Sequence, residues 1–100
     1  MATDKHLEAL RAAIEADEAR KVIALCGSLR GNERTIVTVL RPKRRYINID
    51  VGDSGRYMVE RETGQVYGIK AYGVIHRGYR YGTVEEFTAS LLQRTATSAA

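Results

Sequence analysis

The sequence has no tryptophan, one cysteine, one proline, one phenylalanine and two histidines in 100 residues, and each shortage removes a class of protein. A lone Cys26 cannot close a disulfide within the chain. With only His6 and His76 beside it, no spacing matches a structural zinc site. No apolar run approaches the roughly 18 residues that span a bilayer, and the opening MATDKHLEAL lacks an apolar signal core. No membrane association is expected, and the cytoplasm is the expected compartment. One hundred residues support one core, so residues 1–100 are read as a single domain. An aromatic content of 7% limits how heavy that core is.

What is present is unevenly distributed. Residues 1–40 carry six basic and six acidic side chains, whereas residues 41–82 carry nine and four, a local surplus of five positive charges. The same stretch holds all six tyrosines and seven of the nine glycines. A local excess of cations attracts polyanions at long range, and nucleic acid is the commonest cytoplasmic one.

The hydrophobic pattern predicts α+β architecture, with a long N-terminal helix, a three- to four-stranded antiparallel meander and a short C-terminal helix. Thr3 or Asp4 is suited to cap the first helix, and Leu7, Leu10, Ile14, Val22, Leu25, Cys26 and Leu29 recur near the 3.6 period. Gly31 is the expected left-handed stop, giving a helical segment over 1–31. The competing reading breaks the helix near Asp17 and makes residues 21–26 a buried strand. Residues 34–82 are read as the meander and a Gly/Tyr-rich loop. Thr35–Leu40 is mostly β-branched and ends before Pro42. Residues 46–51 alternate, with Ile47, Ile49 and Val51 on one face and Tyr46, Asn48 and Asp50 on a face expected to be wet. A turn at Gly52–Gly55, a strand at Arg56–Arg61, a loop at Glu62–Gly64 and a strand at Gln65–Lys70 follow. Glycines crowd Ala71–Gly82, which is expected to form an irregular hairpin or ordered loop. Thr83 and Glu86 make a reciprocal capping pair for a helix over about 84–95 within the segment 83–96, with residues 97–100 fraying.

Local matches to catalytic or phosphate-binding motifs are short. GSLRGNE (27–33) follows VIALC as a flavodoxin-like phosphate loop follows its strand, and INIDVGDSGRYMVE (47–60) looks like the first hairpin of actin-like kinases. Each lacks the rest of its larger scaffold, so helix termination and a plain hairpin explain them better. KAYGVI (70–75) partly echoes the inner strand of RRM domains, but the strand and helix order disagrees. His76 has no adjacent nucleophile or orienting carboxylate, and Asp50/Asp53 and Glu85/Glu86 are accounted for by a turn and a helix cap. No catalytic residue, metal ligand or cofactor is expected, and the chain is read as a non-enzymatic binding protein.

Its expected surface is the basic, tyrosine-rich half. In RPKRR, Arg41, Lys43, Arg44 and Arg45 form the densest cationic cluster, which the meander is expected to gather with Lys70, Arg77 and Arg80 against nucleic-acid phosphates. Tyr79 and Tyr81 are expected to stack on bases. Tyrosines packing the small core are the competing use of those rings. The alternative reading is an interaction module that meets a host protein, or a second copy of the chain, through the apolar seam of the N-terminal helix.

YGIKAYGVIHRGYRYGT (67–83) together with INIDVGDSGRYMVERETG (47–64) resembles a group of small uncharacterised proteins encoded by bacteriophages and some bacteria. The resemblance implies a shared strand, turn, strand and Gly-Tyr loop order and a phage-type accessory origin. It carries no assigned activity and no functional residue.

Overall fold

A computed structural model describes the backbone of residues 4–98 and the side chains of residues 4–95. Helix α1 (Asp4–Cys26) leads into a five-stranded antiparallel sheet, and helix α2 (Val84–Ser98) closes the chain. The strands are β1 (Thr38–Pro42), β2 (Tyr46–Val51), β3 (Ser54–Glu60), β4 (Gln65–Ala71) and β5 (Val74–Thr83). They pair in sequence order, which makes the sheet an α+β meander with β1 and β5 at its edges.

The expected helix forms without a strand at 21–26, but it ends earlier than Gly31. Gly27 adopts φ 84° and its N–H donates to the Ile23 carbonyl, which is a left-handed glycine cap at the first available position. Only the first half of the stripe is buried: Leu7, Leu10, Ala13, Ile14 and Asp17. Leu25 and Cys26 were expected in that stripe, yet both are exposed, Leu25 by 87%. The helix is about 35 Å long at 1.5 Å per residue, and residues 23–26 at its end are exposed. The Thr3 cap lies outside the described residues.

Thr35, Ile36 and Val37 do not join β1 despite their β-branching. The N–H and hydroxyl of Thr35 both donate to the Asn32 carbonyl, which commits that segment to a turn. Pro42 fits the end of β1 because an edge strand leaves one side of its backbone unpaired. The start of β1 is fixed by α1: Glu15 Oε1 accepts from the Thr38 N–H, and Arg11 donates to the Thr38 carbonyl.

The expected irregular hairpin forms within Ala71–Gly82, as the end of β4, a turn at Tyr72 and Gly73, and β5, but β5 is a regular sheet member to Thr83, so the sheet has five strands instead of three or four. The glycines of β5 permit the strand by letting it bulge. His76 pairs with Gly68 and Arg80 with Tyr67, so residues 77–79 loop outward, and the Gly78 N–H donates to His76 Nδ1. An edge strand tolerates this because only one neighbour has to be matched. The predicted capping box forms as expected: Thr83 N–H donates to Glu86 Oε1 and Glu86 N–H to Thr83 Oγ1. These bonds hold the Glu86 carboxyl below its usual pKa. Helix α2 runs past 95 to Ser98; residues 99 and 100, where fraying was also expected, lie outside the described residues.

Both helices cover the same face of the sheet. Leu7, Leu10 and Ile14 of α1 and Val84, Phe87 and Leu91 of α2 pack with Ile47, Ile49, Val51, Val59 and Val66 into one core. Asp17 is buried where α1 faces α2, and Arg20, Lys21 and, at 3.9 Å, Arg94 surround it. Burial alone would raise its pKa, but the Arg20 hydrogen bonds and the Lys21 charge outweigh it and hold the carboxyl below the usual range.

A group whose pKa is depressed on folding contributes stability above its unfolded value, near 3.9, and that contribution is lost as pH falls through the lower folded value. Asp17→Asn should therefore lower stability at neutral pH by about 1–3 kcal/mol. It should also flatten the loss between roughly pH 4 and pH 2. Urea titrations of both proteins at pH 7, 4 and 2.5 test this; parallel acid profiles would count against it.

Candidate functional site

The face away from the helices carries the site. The strict alternation of β2 turns Ile47, Ile49 and Val51 into the core and therefore Tyr46, Asn48 and Asp50 outward. The register then lines up one row across all five strands: Arg41, Asn48, Met58, Tyr67 and Arg80. With strands about 4.8 Å apart, the row spans roughly 19 Å and has a guanidinium at each edge.

This face is not wet, as alternation had suggested. Asn48, Asp50, Met58 and Tyr67 are all buried although no helix covers them. Long side chains lie over the row instead. The Arg77 guanidinium sits 5.6 Å above the centre of the Tyr67 ring and donates to the Tyr46 hydroxyl at 3.1 Å. Arg41 Nε donates to Asp50 Oδ2 at 2.8 Å, and the Tyr72 hydroxyl donates to the same oxygen at 3.1 Å. The Tyr72 ring reaches this position by lying against Gly55, where a Cβ would stand 2.7 Å from the ring. Two acceptors are left over: Oδ1 of Asn48 and Oδ1 of Asp50 accept no hydrogen bond from the protein. An unmade hydrogen bond at a buried acceptor costs about 1–3 kcal/mol.

The β1–β2 hairpin places Lys43, Arg44 and Arg45 at one end of this face. Its backbone is fixed: Lys43 N–H donates to the Tyr46 carbonyl, Arg61 N–H to the Arg45 carbonyl and Arg61 Nη1 to the Lys43 carbonyl. The three side chains are exposed and enter no ion pair among the described residues. Arg11, Arg20, Lys21, Arg41, Arg56 and Arg94 each meet a carboxylate, whereas Lys5, Arg30, Arg34, Arg61, Lys70, Arg77 and Arg80 share the hairpin's lack of an ion pair among the described residues.

The structure thus brings Arg41, Arg77 and Arg80 to the open face and Lys43, Arg44 and Arg45 to the hairpin at its end, where Arg44 and Arg45 also line the helix-side cleft. It separates the other three expected residues from them. Lys70 lies at the opposite end of the sheet, beside the β4–β5 turn. Tyr79 stacks on His76, 4.4 Å between ring centres, and passes over Gly68. Tyr81 stacks on Phe87 and meets Tyr57 edge-on, so it is largely part of the packing between sheet and α2. Burial pushes the Tyr57 hydroxyl above its ordinary pKa. The rings that do lie with the cations are Tyr46, Tyr67 and Tyr72. Their signal in the sequence was the parity of 46–51 and the register it imposes on later strands.

On the helix side, a cleft of about 780 Å³ opens between the start of α1 and the β1–β2 hairpin. Leu7, Leu40, Ile47 and Val59 floor it, and its rim mixes Arg44, Arg45 and Arg61 with Glu8, Glu60 and Glu62. Among the described residues, no three His, Cys, Asp or Glu side chains gather as a metal site, and no helix is long and apolar enough to cross a membrane. The chain matches no family model, no curated protein and no solved structure.

Because Arg41 supplies one of two donors to a buried carboxylate, Arg41→Ala should destabilise the fold by about 1–3 kcal/mol, more than an exposed arginine would. Arg30→Ala, at an exposed loop position, should change stability by less than about 0.5 kcal/mol. Chemical denaturation of the two variants compares them directly.

Proposed function

We propose that the protein is a non-enzymatic binder of single-stranded nucleic acid that uses the open sheet face and the β1–β2 hairpin. The observation that carries this reading is the set of cations without carboxylate partners, Lys43, Arg44 and Arg45, held on a fixed backbone at the end of a sheet whose open face has Arg77 over the Tyr67 ring and bonded to the Tyr46 hydroxyl. Exposed cations track a phosphate backbone, and rings beside them give bases a surface to stack on. Of the rings, Tyr46 and Tyr72 are accessible enough to stack, and Tyr67 supports Arg77 from below. A flat sheet face suits a single strand better than a duplex groove, which admits a helix or a two-stranded ribbon.

Replacing Lys43, Arg44 and Arg45 together with alanine should weaken binding to a labelled mixed-sequence single strand. It should also reduce the slope of log affinity against log salt by about 2, at roughly 0.7 for each phosphate no longer neutralised. Fluorescence anisotropy over a salt series measures both. An unchanged slope would remove the hairpin from the interface.

A second reading is supported by the exposed C-terminal end of α1, where Ile23 is 45% and Leu25 87% exposed. Under it, the chain is a phage-type accessory module whose helix meets a host protein or a second copy of itself. Ile23→Ser with Leu25→Ser should then convert an associated species to monomer in sedimentation velocity while leaving oligonucleotide affinity intact. Monomeric wild-type protein at all concentrations would exclude the self-association form of that reading.

A further inference from the structure

We infer that Asn48 and Asp50 form a base-reading site selective for guanine, an inference that rests on the nucleic-acid reading above and makes it more specific. Both side chains are about 95% buried, both point from β2 to the open face, and each keeps one acceptor oxygen that no protein donor reaches. A pair of free acceptors two residues apart on one strand calls for a ligand presenting more than one donor.

The surroundings decide which kind of donor. Arg41 and Arg80 end the row and Arg77 lies over it, so a lysine, an arginine or a metal ion would enter against like charge. A neutral donor attached to a negatively charged chain meets no such opposition, and a nucleobase on its phosphate backbone has that form. Among the bases, guanine offers adjacent imino and amino donors on its Watson–Crick edge. Uracil offers one imino donor between two carbonyl acceptors, which would face the two oxygens unfavourably.

Tyr72 is the cover that must move. It sits next to Gly73 (φ 76°) in the β4–β5 turn, is 56% exposed, and holds Asp50 through a single hydroxyl bond. Turning the side chain outward breaks its bond to Asp50, opens the face beside that carboxylate and frees the ring to stack on the entering base. Arg41 continues to hold Asp50 Oδ2, so Oδ1 stays directed at the ligand.

Fluorescence anisotropy with a labelled oligouridylate, the same strand bearing one central guanosine, and the same strand bearing inosine tests the inference at fixed salt. The guanosine strand should bind about tenfold tighter than oligouridylate. Inosine, which lacks the amino donor, should lose most of that preference with no change to the protein. Asn48→Leu should abolish the preference for the guanosine strand over oligouridylate and melt no lower than wild type, because it removes a buried acceptor that no donor meets. Equal binding of all three strands would overturn base reading and leave nucleic-acid binding standing. Binding of none would overturn both, and tighter capture of an arginine-rich peptide would show that the acceptors serve a protein partner instead.

Discussion

The two-residue period of β2 is the constraint on which the rest depends. Once Ile47, Ile49 and Val51 are committed to the core beneath α1 and α2, Asn48 and Asp50 have no choice of face. A slip of one residue would put a carboxylate and an amide into the apolar layer and three aliphatic side chains outside it. The hairpins on either side inherit that register, so the row from Arg41 to Arg80 follows from the same decision. The helices add a second lock, because Glu15 and Arg11 satisfy the backbone of Thr38 at the start of the outer strand.

Much of this was legible in the sequence because the signals were local. The alternation at 46–51, the capping pair Thr83 and Glu86, and the apolar spacing of Leu7, Leu10 and Ile14 each depend on neighbours within a few residues. What was not legible depended on partners far along the chain. The strand in Ala71–Gly82 forms because β4 offers it an edge and because a bulge absorbs the mismatch that its glycines suggested. The exposure of Leu25 reflects which part of α1 the rest of the fold covers, and helical periodicity does not encode that.

The candidate site shows the same division. Cationic composition was enough to single out Arg41, Lys43, Arg44, Arg45, Arg77 and Arg80 as candidates, since exposed charge needs little tertiary information to locate. It gave no means of sorting the tyrosines, whose roles differ by which face each one takes. Tyr81 goes to Phe87, Tyr79 to His76, and Tyr46, Tyr67 and Tyr72 to the open face. Asn48 and Asp50 looked like ordinary wet-face residues because burial on that face comes from side chains reaching across strands.

Burying polar groups under arginine and tyrosine is an unusual way to finish a small sheet. An aliphatic pair at 48 and 50 would seal the same face under the same side chains with no unmet acceptor and no dependence on Arg41 or Tyr72 for a charge partner. Covering by long side chains is also reversible in a way that covering by a helix is not. A tyrosine on a turn rotates on a fast timescale without disturbing the strands beneath it. Stability alone would have favoured an apolar floor, and a polar floor covered by side chains accords with the proposed recognition of a base.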